Sequence, residues 1–276
     1  MMKVLATGAT GWVAQHVVSA LVGAGHDVRA VVHDPAKAGI PLGLGAKETV
    51  QADLRNPASL DAALDGVDGA FLITPAFAPD ATELGLALVE AAQRSGVRKL
   101  VYSGVYHPSL ALENHASTLP IEAALYASDL DFTVLQPAMF LQGLDGAWGQ
   151  ARSSGALVMP WSKSSRMTYV DYRDVAEVAA LAFSDERLSH GTFELAAGGM
   201  IDRTTLAELF SAASGIPITA QDVPAGALPS SLPAGLRAMF AEYDRHGFHG
   251  GNSLVLASIL GRAPRSLEDY VTELAR

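Results

Sequence analysis

The sequence contains no cysteine, which excludes disulfide bonds, thiolate catalysis and metal sites with cysteine ligands. It also lacks any stretch near the roughly 18 uncharged apolar residues that a membrane-spanning helix needs, so we expect no membrane partner. Positive charge is scarce, because 19 Lys and Arg residues stand against 29 Asp and Glu residues, a formal net charge of −10. Such a surface repels phosphate groups, which argues against a nucleic acid as the main partner.

The amino terminus carries no recognisable targeting signal. Its apolar stretch, residues 1–6, is too short for the core of a secretory signal peptide and runs directly into a glycine motif. We therefore expect a cytoplasmic protein.

The first half of the chain alternates short β-branched runs with helical patterns, which is typical of βαβ units around a parallel sheet. With 276 residues, of which 49% are hydrophobic, the chain can bury the core that such a sheet requires. We predict strands at residues 3–7, 28–32, 48–51, 70–74, 99–103 and 132–135, and helices at 12–22 and 81–94. Right-handed crossovers then give an α/β fold, a doubly wound parallel Rossmann sheet with helices on both faces.

The regular alternation loosens in the second half. We predict a Rossmann domain over residues 1–136 and a smaller, interwoven C-terminal substrate lobe over residues 137–276. Strands near 169–171 and 192–195 are expected to return to the sheet, and the Pro- and Gly-rich segment 221–233 is expected to be a loop. Helices are predicted at residues 175–183, 235–243, 253–260 and 267–275.

A glycine motif joins the first predicted strand to the first helix, and it reads Thr7-Gly8-Ala9-Thr10-Gly11-Trp12-Val13-Ala14. Gly8 permits a tight turn, and Gly11 lets backbone N–H groups approach a pyrophosphate. The helix N-terminus adds about half a positive charge at the same place. This context predicts a dinucleotide site; the alternative is a strand–helix turn that binds nothing.

The end of the second strand bears on which dinucleotide binds. NAD sites usually place an acid there for the ribose 2′-hydroxyl, whereas NADP sites place a base for the 2′-phosphate. Here the strand ends at His33, and Lys37 follows within the reach of a helical turn. Asp34 precedes a proline and is explained as a helix N-cap. The pattern favours NADP, with NAD as the alternative.

The motifs above resemble the NmrA-like branch of atypical short-chain dehydrogenases, which includes quinone reductases, dye reductases, isoflavone-type reductases and non-catalytic redox-sensing regulators. The resemblance covers nearly the whole chain, at residues 8–11, 28–38, 53–54, 71–75, 101–103, 135–140, 170–176 and 261–270. It implies a Rossmann fold and a nicotinamide cofactor. It does not identify the substrate.

The resemblance also implies positions for the parts of the cofactor. The pyrophosphate would lie on Gly8, Thr10, Gly11, Trp12 and Val13, and the adenine near Asp53 and Leu54. The nicotinamide half would lie along Thr74, Pro75, Ser103, Gln136 and Pro137. Two positions depart from the family pattern: His33 stands where the family often has arginine, and Thr118 stands where it often has lysine.

The catalytic pair of typical short-chain dehydrogenases, Tyr-x-x-x-Lys, is missing. None of the five lysines lies between the fifth and sixth predicted strands, so ketone reduction by that mechanism is not expected. The candidate proton-handling residues are Ser103, Tyr106 and His115, although each histidine in this region has a structural role as its alternative. Pro120 predicts a helix that begins near Thr118, which would place His115 in a loop over the cofactor.

Aromatic residues follow the sixth strand. Phe140, Trp148 and Trp161, with Met159, predict a flat substrate slot, or else part of a hydrophobic core. The run from His246 to Gly251 has the histidine spacing of some metal sites but no evident third ligand, so we expect no metal.

These features favour an NAD(P)H-dependent oxidoreductase that transfers hydride to a quinone-, dye- or enone-like small molecule, since such acceptors can take their proton from solvent. One alternative is an NADP-binding regulatory or redox-sensing protein without turnover. Another is a tailoring enzyme that uses the fold without net hydride transfer. We expect a small aromatic or quinone-like substrate as the partner, and a monomer or homodimer.

Overall fold

The computed structural model describes residues 1–223, 228–229 and 231–276. The chain divides into two compact units. The first comprises Met1–Pro137 and Arg173–Glu194, and the second comprises Ala138–Tyr172 and Leu195–Arg276. No helix of the described residues is long and apolar enough to cross a membrane.

A seven-stranded sheet forms the centre of the first unit. Its strands are β1 (Lys3–Ala6), β2 (Asp27–Val32), β3 (Glu48–Gln51), β4 (Gly69–Ile73), β5 (Lys99–Ser103), β6 (Asp131–Pro137) and β10 (Gly191–Leu195). Their order is β10-β6-β5-β4-β1-β2-β3, and β1 to β6 pair in parallel. The strand order reverses between β1 and β4, as in a doubly wound Rossmann sheet, which confirms the predicted fold class.

The first unit contains seven α-helices among the described residues. They are α1 (Ala14–Gly23), α2 (Gly39–Gly43), α3 (Pro57–Leu64), α4 (Ala81–Arg94), α5 (Glu113–Ala116), α6 (Leu119–Tyr126) and α8 (Tyr172–Ala182, whose first residue belongs to the second unit). Helix α4 buries Leu84, Leu88 and Val89 at helical spacing. Gly85 of this helix has no side chain where Ile121 of α6 packs; a Cβ there would lie 2.2 Å from Ile121 Cδ1. Helices α4 and α6 can therefore pack closely beneath β4 to β6.

The second unit contains two small sheets and five helices among the described residues. The strands β7 (Met139–Phe140) and β9 (Tyr169–Val170) pair in parallel, as do β8 (Ala156–Val158) and β11 (Thr219–Gln221). The helices are α7 (Leu144–Ser154), α9 (Arg203–Ser214), α10 (Ala234–His246), α11 (Leu254–Leu260) and α12 (Leu267–Ala275).

One predicted strand has a different place from the one expected. Residues 169–171 do not return to the large sheet, because the edge of β6 is occupied by β10 and Tyr169–Val170 pair with β7 instead. The prediction for 192–195 is confirmed by β10. Of the predicted loop 221–233, residues 224–227 and 230 lie outside the described residues, and its first residue ends β11.

Candidate functional site

The glycine turn after β1 is held tightly against β4. The Thr7 amide donates to the Phe71 carbonyl at 3.0 Å, and the Ile73 amide donates to Thr7 Oγ1 at 3.0 Å. Gly8 has φ +65°, and a Cβ there would lie 2.8 Å from Ile73 Cγ2. Only glycine satisfies both conditions, since L side chains rarely adopt this backbone region. The Gly11 amide then donates to the Gly8 carbonyl at 2.7 Å and closes the turn.

The turn leads into the N-terminus of α1 with its backbone open to solvent. Gly8, Gly11 and Trp12 are exposed, Trp12 to 56%. Val13 at the N-cap makes no side-chain capping hydrogen bond. The Gln15 and His16 amides already donate to the Gly11 and Val13 carbonyls, so an anion here would meet the exposed turn and the positive end of the helix dipole. This arrangement fits the pyrophosphate of a dinucleotide.

The segment after β2 contains one acidic residue, which caps a helix, and two exposed basic residues. Asp34 accepts a hydrogen bond from the Ala36 amide at 3.0 Å and caps a 3₁₀ helix at Pro35–Lys37. The predicted N-cap role of Asp34 is thus confirmed. His33 and Lys37 flank this turn and are both exposed.

The segment after β3 uses its polar groups locally. The Asp53 amide donates to Ser59 Oγ at 2.9 Å, and Asp53 Oδ1 accepts from the Arg55 amide at 3.0 Å. Leu54 packs partly buried against the core. Asp53 therefore shapes the turn, and Leu54 gives it an apolar surface.

Parallel pairing brings the ends of β4, β5 and β6 to one edge of the sheet. Ile73 pairs with Ser103, and Ser103 with Leu135. The predicted residues Thr74 and Pro75, Ser103, and Gln136 and Pro137 lie at this edge. Ser103 is 3% exposed and Gln136 is 6% exposed, whereas Pro75 is open to solvent.

Tyr106 is buried next to this edge. Its amide donates to the Pro137 carbonyl at 3.0 Å, and its ring centroid lies 3.9 Å from that of His107. Burial raises the pKa of the Tyr106 phenol, and the charge of Glu194 adds to this effect. Tyr106 therefore holds its proton more tightly than a free tyrosine.

His115 lies in helix α5, so the prediction of a loop at this residue is wrong. The four residues 113–116 form a helical turn, and the Thr118 hydroxyl donates to the His115 carbonyl at 2.9 Å. The imidazole is fully buried, with Nδ1 at 3.1 Å from the His107 carbonyl oxygen. Burial lowers the pKa of His115, so the neutral imidazole is favoured.

A buried carboxyl that sequence reasoning missed lies beside Gln136. Glu122 of α6 is 3% exposed, and Gln136 Nε2 donates to both of its oxygens at 3.0 Å. Burial raises the pKa of Glu122. The sequence gives no signal for this pair, because Glu122 reads as an ordinary helical glutamate and its partner is 14 residues away.

The three predicted substrate aromatics all pack within the second unit. Trp148 is buried, stacked on Phe210 with centroids 4.7 Å apart, and its indole donates to the Leu274 carbonyl at 2.9 Å. Trp148 is therefore a core residue and not part of a slot, which corrects that prediction. Phe140 packs edge-on against Tyr172 at 4.6 Å. Trp161 has Phe240 and Tyr243 as aromatic neighbours.

The second unit also contains a cavity of about 230 Å³ that the sequence did not indicate. Most of the residues that line it have apolar side chains, including Leu141, Met167, Tyr169 and Ile201, and Thr205 and Glu268 are its polar members. None of the three predicted aromatics lines it. Across residues 1–223, 228–229 and 231–276, no group of three or more His, Asp or Glu residues could hold a metal ion.

Comparisons with known proteins identify the family of this chain. The model of the NmrA-like family matches residues 1–270. The chain is 30% identical over 217 residues to NAD(P)H azoreductase of Xenophilus azovorans, covering 78% of this chain and 75% of that protein. It is 27% identical to quinone oxidoreductase 2 of Escherichia coli (strain K12), covering 97% of each.

A solved structure extends the likeness to the fold. The crystal structure of an NADPH-dependent quinone oxidoreductase from Escherichia coli, complexed with NADPH, superposes with a TM-score of 0.86 at 25% identity. The superposition covers 99% of this chain and 100% of that one. The family resemblance inferred from the sequence is confirmed: this chain belongs to the NmrA-like family.

Proposed function

We propose that this chain is an NAD(P)H-dependent oxidoreductase that reduces a quinone-, dye- or enone-like small molecule. The observation that carries the proposal is the open glycine turn, in which Gly8 adopts φ +65° directly before an uncapped helix N-terminus. The turn lies at the point where the strand order of the sheet reverses, which is where doubly wound sheets bind ligands. The named activities of the azoreductase and quinone oxidoreductase relatives support the same reaction class.

The residues of the turn and of the strand ends would hold the cofactor. The backbone of the turn at Gly8, Thr10, Gly11, Trp12 and Val13 would take the pyrophosphate, and Asp53 and Leu54 would border the adenine. The nicotinamide half would lie along Thr74, Pro75, Ser103, Gln136 and Pro137. When bound, the reduced nicotinamide supplies a hydride.

We propose NADP(H) as the preferred cofactor. His33 and Lys37 follow β2 as exposed side chains, while the carboxylate of Asp34 is turned to the Ala36 amide. A 2′-phosphate therefore meets donors here, while Asp34, which lies between them in sequence, already caps a helix.

The candidate proton-handling residues are all buried. Ser103, Tyr106 and His115 are at most 3% exposed, and burial keeps Tyr106 protonated and His115 neutral. None of the three offers an acid at the surface. Acceptors that take their proton from solvent after hydride transfer, such as quinones and conjugated dyes, therefore suit the site better than ketones. Phe140 and Trp161 are the proposed aromatic contacts for such an acceptor.

A second candidate function is a cofactor-binding regulator without turnover. Thr118 stands at the position where a lysine is often found in the family, and it is 6% exposed with its hydroxyl bonded to the His115 carbonyl. It cannot replace a cationic group at the nicotinamide ribose. A third candidate function on the same fold is that of a tailoring enzyme without net hydride transfer.

Binding and turnover together test the proposal. Calorimetric titration of the purified chain with NADPH and NADH should show tighter binding of NADPH. Absorbance at 340 nm should then fall on addition of a naphthoquinone or an azo dye, and stay constant with a simple ketone. Tight NADPH binding without oxidation by any acceptor would favour the regulator. Absence of binding to either cofactor would refute the proposal.

A further inference from the structure

Four polar side chains form a hydrogen-bonded network near the end of β6. Glu122 accepts from Gln136 Nε2 at 3.0 Å on each oxygen and from the Tyr126 hydroxyl at 3.2 Å. Tyr126 in turn lies 2.9 Å from Thr192 Oγ1. Gly104 lies beside the carboxyl, since a Cβ there would be in van der Waals contact with Glu122 Oε1 at 3.4 Å.

The network contains a buried acid without a cationic partner. No Lys, Arg or His in the part of the chain that the structure describes lies within ion-pair distance of Glu122. The other ionisable groups that face it are the phenols of Tyr102 on β5 and Tyr126 on its own helix. Helix α4 packs against α6 through Gly85, which lies against Ile121, the residue before Glu122. A buried carboxyl in such surroundings is costly, and we expect it to serve a role other than stability.

The carboxyl dictates how the Gln136 amide is turned. A carboxylate only accepts hydrogen bonds, so it must face the NH₂ group of the glutamine. The amide oxygen is thereby directed away from Glu122. Among the described residues, none donates a hydrogen bond to that oxygen. By holding the Gln136 side chain, Glu122 thus fixes the amide oxygen of Gln136 as an unused acceptor. This acceptor lies at the strand edge where the nicotinamide half is proposed to bind.

We infer that Glu122 is a positioning residue for the nicotinamide half of the cofactor, acting through Gln136, whose amide oxygen accepts a hydrogen bond from the nicotinamide carboxamide. This inference rests on the proposed function, because it requires a nicotinamide dinucleotide at this edge. It adds a residue that contacts neither the cofactor nor the substrate directly. A carboxamide recognised in this way is held in one orientation, which fixes the ring face that is presented for hydride transfer.

Protonation of Glu122 should loosen this control. A neutral carboxylic acid can also donate, so it can bond to the oxygen of a Gln136 amide that has turned over. Because burial raises the pKa of Glu122, this change occurs closer to neutral pH than for an exposed glutamate. The contribution of the nicotinamide to binding should therefore decrease as the pH falls.

The test compares two ligands that differ only in the nicotinamide. Calorimetry measures the affinities of the full chain for NADP⁺ and for 2′-phospho-ADP-ribose, which lacks the base. We expect Glu122→Gln and Gln136→Met each to weaken NADP⁺ binding about fivefold to tenfold, the effect of one hydrogen bond, and to leave 2′-phospho-ADP-ribose unchanged. The double variant should be no weaker than Gln136→Met alone. Glu113→Gln, the same change at an exposed position of α5, should alter neither affinity.

The pH gives a second readout. The ratio of the two affinities in the wild type should fall between pH 8 and pH 5, and it should be flat in Glu122→Gln. Equal weakening of both ligands, independent effects in the double variant, or unchanged NADP⁺ affinity would overturn the inference. Should Glu122→Gln fail to fold, Gln136→Met and the wild-type pH profile decide alone. If the wild type bound NADP⁺ no more tightly than 2′-phospho-ADP-ribose, the role inferred for Glu122 would be wrong. If it bound neither ligand, the proposed function itself would be wrong.

Discussion

The glycine turn after β1 and the end of β6 offer two kinds of polar surface at the same sheet. The turn exposes the backbone of one short stretch of sequence, and Gly8 and Gly11 keep side chains out of the way. The end of β6 offers the nearly buried side-chain amide of Gln136, which is fixed by the carboxyl of Glu122 on α6. The turn should therefore be sensitive to added bulk and insensitive to pH, whereas the amide should be sensitive to isosteric changes of hydrogen bonding.

The largest expected effect is at Gly11. A Cβ on this residue would already lie 3.0 Å from the Gly8 carbonyl oxygen, and the branched side chain of Gly11→Val would cover the exposed backbone of the turn. We expect a loss of NADPH affinity of at least about a hundredfold, or roughly 2.7 kcal/mol, with the fold retained. Calorimetry and circular dichroism measure this. Gly23→Val, at the opposite end of α1 where a Cβ meets no atom, is the matched control; retained binding in Gly11→Val would mean that the turn is only architectural.

Gly8→Ala should reduce stability through two separate effects. The backbone at φ +65° is strained for alanine, and the methyl group would press on Ile73 Cγ2. We expect a loss of about 1–3 kcal/mol in the free energy of unfolding, measured by urea denaturation. Gly25→Ala shares a positive φ, +82°, but its Cβ would meet no atom. An equal loss in the two variants would show that the contact with Ile73 contributes nothing.

Much of the fold could be predicted because its signals are local. The elements β3, β5, α4 and α12 lie where hydrophobic periodicity and end signals placed them. Tyr169–Val170 could not be placed in this way, because two residues carry no periodicity and the choice of partner depends on which sheet edge is already taken.

The candidate site also has one part that could be predicted from the sequence and one part that could not. The glycine turn and the Asp34 cap are contiguous in sequence and were predictable. The pairing of Glu122 with Gln136 and the burial of His115 depend on how separate elements pack, which no spacing reveals. Trp148 illustrates the converse error, since an aromatic near a presumed site proved to be core.

Glu122, beside the end of β6, should make the free energy of unfolding depend on pH. The folded-state pKa of Glu122 is raised above its ordinary value of 4.5, so from about pH 4.5 upwards the unfolded chain loses this proton first. Folding stability should therefore fall as the pH rises from there through the folded-state pKa, by at most about 1.4 kcal/mol per pH unit. Urea denaturation of the wild type and Glu122→Gln between pH 4.5 and 8 measures it. A stability difference that stays constant with pH would contradict a buried, titrating Glu122.

The smallest expected effect concerns cofactor choice at the turn after β2. Lys37 is exposed, so its contact with a 2′-phosphate is screened by solvent. Lys37→Ala should weaken NADPH binding about threefold to fivefold and leave NADH binding unchanged. Lys47→Ala, which removes an exposed lysine paired with Asp27, is the control. Equal losses for the two cofactors would show that Lys37 does not read the 2′-phosphate.

The most direct test of the central claim is a single-turnover reaction of the full chain. A stoichiometric amount of NADPH is bound to the protein, a naphthoquinone is added, and the absorbance at 340 nm is followed. The account predicts complete loss of that absorbance with the quinone, none with a simple ketone, and none above the uncatalysed rate in Gly11→Val. A wild-type chain that reduces the ketone as readily as the quinone, or that binds NADPH without reducing any acceptor, would contradict it.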